Sequence, residues 1–163
     1  MHKKSGSFFG IVRAAGLPPA SPPTTNEDMP EKQRVLDAND AFYTAFRLLN
    51  FDAMDAVWAK RRDVSVYHPN QPGIGTRDAV MESWHKILVA GQPAQVTVSD
   101  QTVIMTAKSA FVICREEIGG THLIATNVFV LEDGMWRMTH HQASRLPAPM
   151  PAQQRDRLKR RKE

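Results

Sequence analysis

Two adjacent imidazoles, His140 and His141, close the run THLIATNVFVLEDGMWRMTHHQAS at residues 121–144. An imidazole titrates near neutral pH, so a histidine facing a cavity is a candidate acid or base. Neighbours on a strand leave opposite faces, so these two cannot share one metal ion. No other His/Cys/Asp spacing makes a zinc site, and neither a metal nor a cofactor is expected. Asp133-Gly134 readily supplies the positive φ values of a two-residue hairpin turn. Counting outward from it puts Leu131 opposite Trp136, Phe129 opposite Met138, Asn127 opposite His140 and Ala125 opposite Gln142. The other face carries Val130/Arg137, Val128/Thr139, Thr126/His141 and Ile124/Ala143. The first face turns from bulky apolar to polar as the strands leave the turn, which suits a core floor and a pocket beyond it.

Unpartnered burial of an imidazole and two amides costs up to a few kcal/mol, so these residues are a poor choice for simple packing. A pocket is therefore expected around His140, the candidate catalytic residue. Asn127, Gln142, His68 and Tyr67 would rim it, Trp58 and Trp84 would wall it, and Trp136 shares its face. The second face, with Ile124, Val128, Thr139, His141 and Ala143, is flat and weakly polar, an aggregation hazard unless covered. It is the expected dimer face. Glu116 and Glu117 point to opposite faces of their strand, and either can be the one turned inward.

Other chemistries fare worse. Ser99, Ser109 and Ser144 lack an elbow motif or an evident base. Gly73 and Gly75 are followed by no Gly-Lys-Ser/Thr, so they do not form a phosphate loop. The single cysteine, Cys114, can form no intrachain disulfide and reads as a buried, inert thiol in a reducing, cytoplasmic setting.

The elements that must hold these residues follow from periodicity. Val35, Ala38, Phe42, Ala45, Phe46 and Leu49 recur at helical spacing after a start near Asp28 and Pro30, and Asn50 is expected to end that helix. Asp52 is expected to cap a short second helix carrying Met54, Val57 and Trp58. Lys60, Arg61, Arg62 and Asp63 form a charged turn, residues 64–68 a short strand, and PNQPGIG a loop. Thr76 caps a third helix that turns Val80, Trp84, Ile87 and Leu88 inward and ends at Gly91-Gln92-Pro93. Residues 96–106, 109–118, 121–131 and 135–143 then alternate as four strands of an antiparallel meander. Helices first and strands after predict an α+β fold: a curved antiparallel sheet of four main strands plus a short one, wrapped around three N-terminal helices.

The 163 residues hold one domain, assigned to 31–146, between a Pro-rich extension at 1–30 and a Pro-rich, then basic, tail at 147–163. Both ends read as disordered, although residues 1–25 also fit an organelle transit peptide. Of 21 Lys/Arg and 17 Asp/Glu, six and two lie in residues 155–163, so the rest of the chain carries fifteen of each. The net charge of +4 belongs to that tail, which is the one expected contact for a polyanion; the body is neutral and reads as no nucleic-acid binder. No apolar run approaches the roughly 20 residues of a transmembrane segment.

The order of elements, with FYTAF, VYHPNQPGIGTRDAVMESW and ATNVFVLEDGMWRMTHHQAS, resembles the SnoaL-like branch of the nuclear transport factor two-like superfamily over residues 31–146. The resemblance implies a cone with one open end, dimerised through the outer face of the sheet. In polyketide-cyclase members an acidic residue and a histidine in the cone act as an acid/base pair. The reading that follows is a homodimer binding a small, partly apolar molecule in the cone. Two further readings are an enzyme transferring protons in that pocket, as an isomerase, cyclase or hydrolase does, and a non-catalytic association domain.

Overall fold

The structure is a computed structural model that describes residues 30–60, 63–91 and 95–147. The expected extension before Pro30, the tail after Pro147, Arg61-Arg62 of the charged turn and residues 92–94 lie outside the described residues. Three helices precede four long strands: α1 (Glu31–Arg47), α2 (Phe51–Val57), β1 (Ser65–Tyr67), α3 (Arg77–Ala90), β2 (Val96–Met105), β3 (Ser109–Ile118), β4 (Thr121–Glu132) and β5 (Met135–Arg145).

The apolar stripe of α1 buries Val35, Phe42 and Ala45, with Asn39 and Tyr43 among them. Asn50 does not end α1, which stops at a Leu48 cap; its side chain caps α2 by accepting from the Ala53 N–H at 3.0 Å. Asn therefore takes the cap role expected of Asp52, because it stands just ahead of the first helical residue. Thr76 caps α3 as expected, accepting from the Ala79 N–H. Arg77, the first residue of α3, donates from Nε to the Ala59 carbonyl and from its terminal nitrogen to Asp55, tying α3 to the end of α2.

The sheet runs β1-β5-β4-β3-β2. The long strands form the expected antiparallel meander, and β1 joins parallel along β5, with Ser65 beside His140 and Tyr67 beside Gln142. Asp133 and Gly134 both take positive φ, as the two-residue turn requires, and Glu132 pairs with Met135 across it. Helices cover one face. The core between them holds Phe42, Met54, Trp58, Val66, Val80, Trp84, Val112, Phe129 and Met138.

Two bulges bend this sheet. In β2 the register shifts between Ser99 and Thr102, with Asp100 at positive φ, which brings Gln101 against α1. In β5 the register shifts between the pairs Val128/His140 and Phe129/Met138, leaving Thr139 as the extra residue. Its hydroxyl donates to the Val128 carbonyl at 3.3 Å. One extra residue reverses the face of everything beyond it. The expected pairs Asn127/His140 and Ala125/Gln142 are thus replaced by Asn127/His141 and Ala125/Ala143, and the expected Val128/Thr139 by Val128/His140.

Candidate functional site

The bulge decides which histidine enters the cone. His141, expected on the outer face, is only 4% exposed, and Ala143 is buried beside it on the concave face. His140 and Gln142, expected to line the pocket, pair with Val128 and Thr126 on the outer face, and His140 Nδ1 shares a 2.7 Å hydrogen bond with the Ser65 hydroxyl. The candidate catalytic position therefore passes from His140 to its neighbour.

Around His141 lies a polar chain that spans the cone. Its Nδ1 lies 2.6 Å from Asn127 Oδ1; an amide oxygen only accepts, so Nδ1 carries the proton. Asn127 Nδ2 donates to Asn39 Oδ1 at 2.7 Å and to the Tyr43 hydroxyl at 3.0 Å. Asn39 Nδ2 donates to Gln101 Oε1 at 2.8 Å. The Tyr43 hydroxyl in turn donates to Glu116 Oε1 at 2.5 Å and lies 3.3 Å from Cys114 Sγ. Asn39, Tyr43, Asn127 and Glu116 are all buried, so each bond replaces water that the chain has lost.

Burial sets the electrostatics. It holds the His141 imidazole at about 3, with His68 and His140 opposing a second positive charge, so the ring is neutral at physiological pH. Burial also raises the Glu116 carboxyl above the ordinary carboxylate range, against the smaller, opposite pull of the Tyr43 hydrogen bond. Tyr43 is raised far above an ordinary phenol by burial and by the neighbouring carboxylate, and burial lifts the Cys114 thiol to about 11. Cys114 is thus an inert thiol with no nucleophilic character.

His141 and Glu116 line one cavity of about 210 Å³ at the open end of the cone, together with Phe42, Phe46, His68, Trp84 and Ile87. Trp84 packs edge-on to Phe42, Phe46 and His68, with ring centroids 4.9–5.6 Å apart. Its indole N–H has no partner among the described residues. His68 is buried, its Nε2 sharing a 2.9 Å hydrogen bond with the Ser83 hydroxyl, and burial lowers its pKa. With Nδ1 committed to Asn127, the Nε2 lone pair of neutral His141 has no partner among the described residues. The site thus combines a neutral imidazole acceptor with a carboxyl whose proton is held unusually tightly.

Of the residues expected in the pocket, His68 and Trp84 line this cavity, and Asn127 stands behind His141. Trp58 is core, and Trp136 lies at the closed end, donating from Nε1 to Glu31 Oε2 at 2.7 Å. Tyr67 is 45% exposed and lines an outer groove with Gln142 and Arg145. Trp136 borders a wider cleft of about 360 Å³ between α1 and α2, floored by Ala38, Ala41, Ala53 and Ala56; its polar rim is Arg34, Asp37 and Arg137, with no imidazole. Sequence reasoning leaves Glu116 level with Glu117 as the inward carboxylate and misses Tyr43, Asn39 and Gln101 as members of the hydrogen-bonded chain. A count from the Gly119-Gly120 turn would have decided for Glu116, since Ile118 pairs with Thr121 and Glu116 with Leu123, on the face of Asn127. Asn39 and Tyr43 are the polar members of the α1 stripe between Val35 and Phe46. Glu117 turns outward, 3.8 Å from His122. Among the described residues no group of three or more His, Cys, Asp or Glu is placed to hold a metal, and no helix is long and apolar enough to cross a membrane.

Residues 35–149 match the SnoaL-like domain, and the chain belongs to that family. Similar solved structures bear on the fold and on the range of roles it carries. A protein described as a dehydratase of the NTF2-like family from Streptomyces avermitilis is 28% identical, with a TM-score of 0.68 over 72% of this chain and 97% of that one. A protein described as a calcium/calmodulin-dependent protein kinase type II association domain, from Thiobacillus denitrificans, is 34% identical, with a TM-score of 0.61 over 68% of this chain and 93% of that one. A protein described as a ketosteroid isomerase, from Shewanella frigidimarina, shares the fold at 15% identity, with a TM-score of 0.60 over 68% of this chain and 94% of that one. Comparison with curated proteins finds no match.

Proposed function

We propose that the chain is a homodimeric SnoaL-like domain that takes a small, partly apolar molecule into the cone and moves a proton on it. The observation that carries this reading is the shared cavity of His141 and Glu116, one a neutral base and the other a reluctant acid. A cavity of about 210 Å³ falls below the roughly 300–1,000 Å³ of drug-sized sites and above the roughly 150 Å³ that holds benzene. One substituted ring is the size it fits. Phe42, Phe46, Trp84 and Ile87 would clasp the ring, and His141 Nε2 and Glu116 would take up and give back the protons moved between its carbon and oxygen. A carbonyl compound with an acidic α-hydrogen, such as a cyclic enone, is the substrate class.

The test is deuterium incorporation from heavy water into cyclohexenone, followed by NMR. Wild type should exchange the α-position at least about 100-fold faster than His141→Gln or Glu116→Gln, the usual contribution of a positioned acid or base. Equal rates in all three would refute proton transfer. Loss of exchange in wild type with retained binding of the ketone would leave a binding protein.

A second reading, a non-catalytic association domain, draws on the outer sheet face. Phe111, Ile113, Ile124, Val128 and Val130 share that face and are only partly buried, and Ile104 beside them is 48% exposed. Dimerisation would cover it in either reading, and a cytoplasmic location would suit the reduced Cys114.

A further inference from the structure

The polar chain across the cone has a direction, and that direction can be reversed without losing a hydrogen bond. In the structure Glu116 accepts from the Tyr43 hydroxyl, and the Tyr43 oxygen accepts from Asn127 Nδ2. Asn127 therefore shows its oxygen to His141 and its nitrogen to Asn39, and Asn39 shows its nitrogen to Gln101. His141 must then carry its proton on Nδ1, leaving Nε2 an acceptor.

If Glu116 takes up a proton, its hydroxyl can donate to the Tyr43 oxygen. The Tyr43 hydroxyl then donates to Asn127 Oδ1, which requires the Asn127 amide to turn over. Asn127 Nδ2 now points at His141 Nδ1, Asn39 turns to donate to Asn127 Oδ1, and Gln101 turns to donate to Asn39. Gln101 is exposed, so water takes up its other bonds and the chain ends freely. Every contact is kept with donor and acceptor exchanged. Only a buried chain of groups that each both donate and accept can do this, and Tyr43, Asn127 and Asn39 are such groups.

We propose that Tyr43, Asn127 and Asn39 are positioning residues that couple the protonation state of Glu116 to the tautomer of His141, so that the cavity-side nitrogen accepts a proton when Glu116 is ionised and donates one when it is not. One proton is added to Glu116; His141 loses the Nδ1 proton to water and gains one from water on Nε2, with no change of ring charge. The two groups therefore change role together: both accept while Glu116 is ionised, and both donate once it is protonated. The inference rests on the reading of His141 and Glu116 as the proton-carrying pair.

Several other groups face the pair. Tyr43 and Asp40 approach from α1, Cys114 from β3, and His68 and His140 from the strands and loop beside His141. Arg115, Glu117 and His122 border the recess on the far side of Glu116. Of these only Tyr43 stands in the hydrogen-bonded chain from Glu116 to His141.

The test needs no ligand. In protein labelled with ¹⁵N-histidine, the Nδ1 and Nε2 shifts of His141, assigned by their loss in His141→Gln, report the tautomer of a neutral ring. They are followed from pH 8 down toward 4, where His141 remains neutral. A swap from the Nδ1–H to the Nε2–H form, with the same midpoint as the Glu116 carboxyl carbon, is expected in wild type. Glu116→Gln, equal in size and uncharged, should hold one tautomer across the range, and so should Tyr43→Phe. If Tyr43→Phe does not fold, Glu116→Gln carries the comparison. A single tautomer in wild type, a swap that persists in Glu116→Gln, or protonation of the ring in place of a swap would overturn the proposal. Failure of the enone to exchange deuterium would count against the proposed substrate and leave this result standing.

Discussion

His141 donates from Nδ1 to Asn127 Oδ1 over 2.6 Å, and both side chains are withdrawn from solvent. His140, one residue earlier, is partly exposed and bonds to Ser65 on the opposite face. Replacing each by Ala separates them. His141→Ala strands the Asn127 oxygen and empties a ring-sized space, which should cost roughly 2–4 kcal/mol. His140→Ala should cost within about 1 kcal/mol, as a substitution at a partly solvated site does. Urea midpoints of the two variants measure the difference, and equal losses would contradict the bulged register.

Acid should act on the buried pair with opposite signs. The folded-state pKa of His141 is about 3, below the roughly 6.5 of an unfolded chain, so its contribution is present above 6.5 and is lost as pH falls from there. Glu116 has its pKa raised on folding, so its contribution is complete below the unfolded value near 4.5 and is lost as pH rises through the folded one. Relative to Glu116→Gln, wild type should therefore be at its best near pH 4.5 and lose ground toward neutrality. Denaturant unfolding of both chains from pH 4.5 to 7.5 gives the slope; a difference that grows with pH would refute the assignment.

Arg77 joins α3 to α2 through Ala59 and Asp55, and the Asp55 carboxyl is only partly exposed. Burial pushes the Asp55 pKa up, but its hydrogen bonds to Lys60 and Arg77 outweigh it, and the net direction is down. Arg77→Met should cost about 1–2 kcal/mol. Arg77→Lys should restore less than half of that, because an ammonium cannot serve the carbonyl and the carboxylate in one plane. Thermal unfolding of the three chains checks the order.

Val128 lies near the middle of the outer sheet face, opposite His140 on β5 and Phe111 on β3. Val128→Arg should leave the cone intact, since this side chain is not among the core residues, and should yield monomers or insoluble protein. Sedimentation velocity at micromolar concentration reads it. Wild type that sediments as a monomer would remove the dimer from the proposal.

Much of this fold is legible in the sequence because periodicity reports solvent exposure directly. The stripe of α1 and the bounds of β3, at Ser109 and Ile118, follow from it. Bulges leave no such mark. Thr139 is an ordinary strand residue, and nothing in MTHHQA says that one member of the run is unpaired. The parity count from Asp133-Gly134 is right as far as Phe129/Met138 and inverted beyond it, so the correct partner, Asn127, becomes attached to the wrong histidine. The bulge at Asp100 hides Gln101 in the same way. Glu116 differs, since counting back from Gly119-Gly120 fixes its face.

The parallel strand β1 meets β5 across 75 residues of chain, as the Ser65–His140 contact shows, whereas each hairpin of the meander closes over a short turn. Closing a long loop is slow and costs more entropy than zipping a hairpin. The meander should therefore form first and β1 dock late, bringing with it His68, Pro69 and Gln71, which wall the cavity mouth. What assembles last under native conditions is commonly what opens first. Amide hydrogen exchange should then be faster at residues 65–67 than along β3 and β4. On that ordering, the entrance to the cone breathes by undocking one three-residue strand, while the Asn127–His141 pair behind it keeps its place.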